Sequence, residues 1–371
     1  MTDHALPPGY AALVSNTHDG DIALFHFDAA GDALTAAARY PADTSVMPLA
    51  FSADRRTLYA ATRGGQPSIV CYDVDLATGQ LALRWRAPIA SSLAYLSTEP
   101  HGRYLLGASY AEHTVSVYAL AQLGEGDGTP HQVVPGIEHA HAVLVSPDGR
   151  FAYASSLGAS VVHAFRLDAA AQGAVLAPLS PVALGAGFGP RHLRLSPDGR
   201  TLYALSEFRA TVAALARDPQ SGQLGEPRHS ERPPVLAHLR DGQARPTPSA
   251  PVQPDPALLA TMVWAAELRV APDGRFLYLS ERTTSRLIVY RVAADGALAY
   301  AGCADTETQP RGFNLSPDGR WLVACGEKST QVALYAVDPA SGALSLRTRA
   351  DGGRGASWVE ILAHVGARAP G

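Results

Sequence analysis

The 371-residue sequence has few cysteines, no excess of basic charge and no long apolar run. Its three cysteines are odd in number and lack Cys-x-x-Cys spacing, which argues against a disulfide framework or a zinc cluster. The net charge of −4 argues against binding to nucleic acid or to a membrane surface. No apolar run approaches the roughly 20 residues that span a bilayer, and the first residues lack the basic and apolar regions of a secretory signal. We therefore expect a soluble cytoplasmic protein, a monomer or homodimer, with neither metal nor cofactor.

Amphipathic helical patterns are also missing. Glycine (34 residues) and proline (28 residues) instead interrupt short apolar runs every few residues, a pattern that favours many short strands joined by turns.

A turn phrase, Ser/Ala-Pro-Asp-Gly-Arg after an apolar residue, recurs along the chain. It stands at 145–150, 195–200, 270–275 and 315–320, with degenerate copies at 51–56 and 98–103. The marker positions 53, 100, 147, 197, 272 and 317 are 47, 47, 50, 75 and 45 residues apart. This period is typical of the four-stranded blades of a β-propeller. Proline and Asp-Gly also have the backbone preferences of a tight turn between strands.

A further unit is split between the two ends of the chain. Residues 10–40 match the last three strands of a blade, and residues 356–362 supply the missing inner strand. Pairing the termini in one blade closes the ring and removes two open sheet edges. The sequence therefore predicts an all-β, seven-bladed propeller of four-stranded antiparallel blades, forming a single domain over residues 1–371.

The long interval of 75 residues contains a proline-rich insertion at about 225–258. It has little apolar periodicity and exceeds the usual period by about 25 residues. Long ordered loops in compact domains are often functional, so the insertion is either a lid over the channel mouth or a neutral surface loop.

Equivalent positions on each blade of a propeller lie at the same depth. Six residues before the turn proline stand His141, Arg191 and Arg311, and ten after it stand Arg63, Glu207, Arg282 and Glu327. Antiparallel neighbours joined by a short turn bring both positions to one end of the blade. His141, Arg191, Glu207, Arg282 and Arg311 should therefore meet at one mouth of the channel. Arginine binds carboxylate or phosphate with two parallel hydrogen bonds, and a carboxylate or imidazole beside it can move a proton.

Other interpretations of these residues stay open. Arg63 and Glu327 could be ordinary solvated charges, and Arg191 with Glu207 could be a purely structural pair. His139 and His141 could hold a metal, but no third ligand stands at suitable spacing. His192 is expected on the opposite strand face from Arg191, which favours a packed, hydrogen-bonded role.

The sequence resembles the seven-bladed propeller lactonases, which include propeller-type 6-phosphogluconolactonases and fungal carboxy-cis,cis-muconate cyclases. The resemblance covers nearly the whole chain and is most specific at 139–150, 189–192 with Glu207, 266–268 followed by 280–282, and 310–313. It implies that the family's proposed active-site His, Arg, Glu and Arg fall on His141, Arg191, Glu207 and Arg282. Further candidates for binding substrate are Arg311, His139, His192, Glu267 and Arg63.

We therefore expect a metal-independent lactone hydrolase acting on a small anionic substrate, by default 6-phosphogluconolactone. Either Glu207 or His141 would activate water, and the arginines would hold the oxyanion and the substrate's acidic group. Two alternatives remain: a muconate-type cycloisomerase that uses the same site, and a non-catalytic propeller that serves as an interaction platform.

Overall fold

The computed structural model describes residues 9–43, 45–171, 173–245 and 254–364. Seven antiparallel sheets radiate from a central channel, and their inner strands contact one another in a closed ring. We number the blades from the one that contains the first strand. The predicted fold class is confirmed.

The strands of each blade follow one another from the channel outward, except in the first blade. Blade 1 consists of β1 (Gly9–Asn16), β2 (Asp21–Asp28) and β3 (Leu34–Pro41), with β29 (Ala356–His364) as its inner strand. Blade 2 consists of β4 (Leu49–Phe51), β5 (Thr57–Thr62), β6 (Ser68–Val74) and β7 (Leu81–Pro88). Blade 3 consists of β8 (Tyr95–Thr98), β9 (Tyr104–Ser109), β10 (Thr114–Ala119) and β11 (Gln132–Val134).

The remaining four blades repeat this order. Blade 4 consists of β12 (Ala140–Val145), β13 (Phe151–Ser156), β14 (Val161–Leu167) and a broken outer strand, β15 (Leu176–Pro178) with β16 (Val182–Ala183). Blade 5 consists of β17 (Pro190–Leu195), β18 (Thr201–Ser206), β19 (Val212–Arg217) and β20 (Leu224–His229). Blade 6 consists of β21 (Ala265–Val270), β22 (Phe276–Glu281), β23 (Arg286–Val292) and β24 (Leu298–Asp305). Blade 7 consists of β25 (Pro310–Leu315), β26 (Trp321–Gly326), β27 (Gln331–Val337) and β28 (Leu344–Asp351).

The recurring phrase forms the turn between the inner and second strands. In blade 4, Gly149 N donates to Ser146 O (2.8 Å), and Gly149 has the left-handed φ of 68° that this turn requires. Asp148 Oδ1 accepts hydrogen bonds from Ser146 Oγ (2.5 Å) and from Arg150 N (3.1 Å). Blades 5 and 7 repeat these contacts, so the phrase encodes a self-contained turn.

The residues that follow the turn join each blade to the next. The Phe151 ring lies against Gly222 in blade 5, where a Cβ atom would stand 2.1 Å from the ring. Tyr153 Oη donates to Gly222 O (2.9 Å), and Arg150 Nη2 donates to Gln220 O (2.8 Å). Blade 6 makes the same contacts with blade 7 through Arg275, Phe276, Tyr278, Pro339 and Gly342. The periodic phrase therefore specifies both the turn and the docking of neighbouring blades.

Two helices and one 3₁₀ turn interrupt the strands in the described part of the chain. Helix α1 (Leu120–Gly124) lies between β10 and β11. The proline-rich stretch begins within β20, so the segment outside the blades runs from 230 to 264. It contains a 3₁₀ turn (Pro234–Leu236) and the short helix α2 (Pro256–Leu259). None of the helices among the described residues is long and apolar enough to cross a membrane.

Candidate active site

Five inner strands contain one extra residue near the same end, relative to the second strand beside them. The extra residue falls at His141 in β12, at Arg191–His192 in β17, at Ala266–Glu267 in β21, at Arg311 in β25 and at Ser357 in β29. Such bulges re-aim side chains and are frequent beside active sites. The bulges include the residues six before each turn proline, such as His141, Arg191 and Arg311, and place their side chains at the channel mouth.

A cavity of about 450 Å³ opens at this mouth. Its lining includes His141, Glu207 and five arginines: Arg63, Arg191, Arg245, Arg282 and Arg311. The predicted convergence of the two register positions is therefore observed. Arg63, which the sequence left open as a solvated charge, also lies in the cavity wall.

Glu207 lies between two of these arginines. Its Oε1 accepts a hydrogen bond from Arg282 Nη2, and its Oε2 lies 3.5 Å from Arg191 Nε. Backbone carbonyls also accept hydrogen bonds from the two guanidinium groups. Arg282 Nε donates to Trp264 O (3.0 Å), and Arg191 Nη1 donates to Ala266 O. All three charged side chains are buried, so this cluster is rigid before any substrate arrives.

Two further arginines of the blades, Arg311 and Arg63, line the same cavity. Arg311 Nη1 donates to Glu327 Oε1 (2.9 Å), so Glu327 is a partner in the site and not an isolated solvated charge. Arg63 Nε donates to Leu93 O (3.2 Å), and no carboxylate among the described residues lies within 4 Å of its guanidinium group. Burial and the nearby charge of Arg311 lower the pKa of Arg63 to about 9, which leaves it charged at neutral pH.

His141 is the uncharged group of the cavity. Its side chain is buried, and its Nδ1 has no hydrogen-bond partner among the described residues. Burial, followed by the positive charge of Arg191, lowers its pKa well below the ordinary value of 6.5. The imidazole is therefore neutral at physiological pH and keeps a lone pair that can accept a proton.

Two of the predicted substrate-binding residues lie behind the cavity wall. His192 Nδ1 is 2.9 Å from Glu267 Oε1, and His192 Nε2 is 3.0 Å from Arg191 Nη1. Burial lowers the pKa of His192 to about 3, so its neutral ring donates from Nδ1 and accepts at Nε2. Glu267 also accepts a hydrogen bond from Arg194 Nη2 (2.9 Å). His192 and Glu267 thus orient Arg191, which agrees with the packed role expected for His192. The expected position of His192 on the opposite strand face is wrong, because the bulge at Arg191–His192 lets the two side chains meet.

His139 has a different environment from His141. It adopts a left-handed φ of 50°, a conformation shared by Gly189 and Gln309 at the same position in blades 5 and 7. Its ring stacks on Tyr110 with centroids 4.4 Å apart. Among the described residues, no three His, Cys, Asp or Glu side chains come together to hold a metal. His139 therefore shapes the bend into β12 and supports the cavity wall through Tyr110.

Arg245 is the cavity arginine that the register could not find, because it lies in the insertion and outside the blades. Its guanidinium group lies 4.2 Å from the ring centroid of Trp264, and its backbone carbonyl accepts a hydrogen bond from Tyr110 Oη (3.0 Å). Its position depends on the path of the insertion, for which the blade period contains no signal.

The chain is similar to known proteins over most of its length. Residues 9–361 match the family described as Lactonase, 7-bladed beta-propeller. The chain is 32% identical to the 6-phosphogluconolactonase of Pectobacterium carotovorum subsp. carotovorum over 321 residues, which cover 86% of this chain and 88% of that protein. The 6-phosphogluconolactonase of Cronobacter sakazakii is also 32% identical, over 324 residues, with the same coverage.

Solved structures show the same architecture. The periplasmic gluconolactonase of Pseudomonas aeruginosa superimposes with a TM-score of 0.79 at 25% identity, covering 95% of this chain and 99% of that one. Since that neighbour is periplasmic, the cytoplasmic location expected for this protein stays a prediction. The family match and the identity across most of both chains show that this protein belongs to the seven-bladed β-propeller lactonase family.

Proposed function

We propose that the protein hydrolyses the lactone of an anionic sugar acid, with 6-phosphogluconolactone as the default substrate. The observation that carries this proposal is the charge of the cavity. Five arginines line it, and two glutamates, Glu207 and Glu327, pair with them in the described part of the chain, which leaves a formal charge of +3. A phosphate dianion and a developing oxyanion together match this excess. The name of the relatives, 6-phosphogluconolactonase, supports the same substrate.

In this mechanism His141 is the general base. Both oxygens of Glu207 are occupied by arginines, whereas the imidazole of His141 is neutral and has an available lone pair. His141 takes a proton from water as the water oxygen bonds to the lactone carbonyl carbon, and the carbonyl π electrons move onto oxygen. Collapse of this intermediate breaks the ring C–O bond, and the leaving ring oxygen receives the proton from the imidazolium.

Arg191 and Arg282 stabilise the oxyanion. Glu207 and two backbone carbonyls hold both guanidinium groups in place, so they need little reorganisation as charge develops. Arg311 and Arg63 also line the cavity, where they bind the remaining substrate oxygens. Donors of this kind each contribute about 10²- to 10³-fold to the rate.

The test is a panel of sugar lactones and unsaturated di- and tricarboxylates, incubated with purified protein and followed by NMR. Ring opening of 6-phosphogluconolactone is the expected result. His141→Ala should lower kcat by about 10²- to 10⁴-fold, and added imidazole should restore part of it. Conversion of muconates to lactones, without hydrolysis, would assign the cycloisomerase instead. No turnover of any compound would favour the interaction platform.

Imidazole rescue also separates the two candidate bases. Formate can restore Glu207→Ala in either case, because an anion can also replace the carboxylate between Arg191 and Arg282. The deciding result is therefore the rescue of His141→Ala by imidazole. Rescue of Glu207→Ala by formate, with none of His141→Ala by imidazole, would overturn the role assigned to His141.

A further inference from the structure

The insertion between blades 5 and 6 runs across the mouth of the cavity. Gly242 N donates to Phe208 O (2.8 Å) in blade 5, and Tyr110 Oη of blade 3 donates to Arg245 O (3.0 Å). Blade 4 lies between these two attachment points, so the segment 242–245 passes over its end. The insertion therefore forms part of the wall of the site.

Tight packing holds this segment in place. A Cβ atom on Gly242 would stand 2.4 Å from Val263 O, so no other residue fits there without displacement of the backbone. Arg240 N donates to Thr261 O (2.8 Å), and Val263 N donates to Arg240 O (3.0 Å). These bonds tie the middle of the segment 230–264 to its last residues before β21.

Arg245 lines the cavity beside an aromatic ring. Its guanidinium carbon lies over Trp264, 4.2 Å from the ring centroid, a contact that leaves guanidinium N–H groups for an anion. No carboxylate among the described residues lies within 4 Å of it. Its surroundings are cationic: desolvation, followed by the charge of Arg282, lowers the pKa of Arg245 from its ordinary value.

The position of Arg245 relative to the reacting groups indicates which part of a substrate it meets. His141 and Arg191 are buried at the base of the cavity, whereas Arg245 is exposed at the rim. Arg245 also borders a second cavity of about 360 Å³, which Lys328 lines as well. A lactone whose carbonyl lies against His141 extends its far end towards these two cations.

We propose that Arg245 binds the phosphate group of the substrate and makes the protein select phosphorylated over unphosphorylated sugar lactones. The proposal rests on the lactone hydrolase function proposed above. It goes beyond that function by assigning substrate selection to the insertion, which lies outside the repeated blades. Phosphate fits this position because it has several oxygens for two-pronged arginine contacts and carries up to two negative charges.

The test compares Arg245→Ala with Arg240→Ala, a matched control in the same insertion whose side chain does not line the cavity. For 6-phosphogluconolactone, Arg245→Ala should raise KM by about 10- to 100-fold, with kcat changed less than threefold. Hydrolysis of unphosphorylated gluconolactone should be unchanged, and Arg240→Ala should match the wild type on both substrates. Equal losses on both lactones, or no loss on either, would overturn the proposal.

A binding titration keeps this test independent of turnover. Wild-type protein should bind 6-phosphogluconate more tightly than gluconate, and Arg245→Ala should remove most of that difference. If the wild type hydrolyses no lactone, the proposed hydrolase function fails, but the titration still decides the role of Arg245. A preference for 6-phosphogluconate that persists in Arg245→Ala would refute it.

Discussion

Replacing Glu207 by glutamine is expected to destabilise the protein as well as to slow its reaction. Glu207, Arg191 and Arg282 are only 8%, 2% and 5% exposed, so water cannot replace the lost carboxylate charge. At 3.5 Å and an effective dielectric constant of about 20, one such charge pair is worth about 5 kcal/mol before desolvation is counted. Removing one partner of a buried pair typically costs about 3–5 kcal/mol, because the remaining charge stays buried. We expect a loss in this range.

The assay is urea unfolding of Glu207→Gln beside Glu327→Gln. Glu327 pairs with Arg311 in a partly exposed position, where an ion pair contributes about 1 kcal/mol or less. Inorganic phosphate should restore more stability to Glu207→Gln than to the wild type, because an anion can take the place of the carboxylate between the two arginines. If the two variants unfold alike and phosphate has no selective effect, Glu207 does not hold Arg191 and Arg282 as we infer.

Three further predictions concern the histidines and the blade contacts. The folded protein keeps His141 and His192 at pKa values below 6.5, so the unfolded chain binds protons first as the pH falls. The free energy of unfolding should therefore decrease by about 2–3 kcal/mol between pH 6 and pH 5. In urea titrations, His141→Gln should roughly halve that dependence on pH. His192→Leu removes one of the two acceptors of Arg191 Nη1, the other being Ala266 O, so it should lower kcat about tenfold or more with little change in KM. An unchanged kcat would show that Arg191 needs no such support. Gly342→Ala places a Cβ atom 2.4 Å from the Phe276 ring at a φ of 74°, and it should lower the free energy of unfolding by about 2–4 kcal/mol. The control is Gly296→Ala, where no atom lies within 4 Å and the expected loss is about 1 kcal/mol. Equal losses would show that blade docking tolerates the methyl group.

Most of the fold could be predicted because its determinants are local and repeated. The turn at Ser146–Arg150 is closed by its own side chains, and the same residues recur at a constant spacing. The split blade was predicted because residues 10–40 supply only three strands of a blade, and residues 356–362 supply a further one. The structure pairs the two segments through β1 and β29. The broken outer strand of blade 4 and the helix α1 carry no such repeat and were not predicted.

The candidate site divides in the same way. The register predicted the charged residues that the blades contribute to the cavity wall, since residues at equivalent positions of a propeller lie at equal depth. It also grouped Arg311 with Glu327, which the structure joins in an ion pair. The family resemblance added His192 and Glu267 as candidates for binding substrate. Neither lines the cavity in the structure; His192 contacts Arg191, and Glu267 contacts His192 and Arg194.

Spacing along the chain was enough to predict the number of blades, the closure of the ring and the blade residues at the channel mouth. Which of those charges pair across blades, as Glu207 does with Arg282 of the next blade, depends on the folded structure. It alone placed Arg245 over the cavity, because the path of the insertion is set by contacts with Phe208, Tyr110 and Trp264. These contacts join residues far apart in sequence, where no local pattern records which groups will meet.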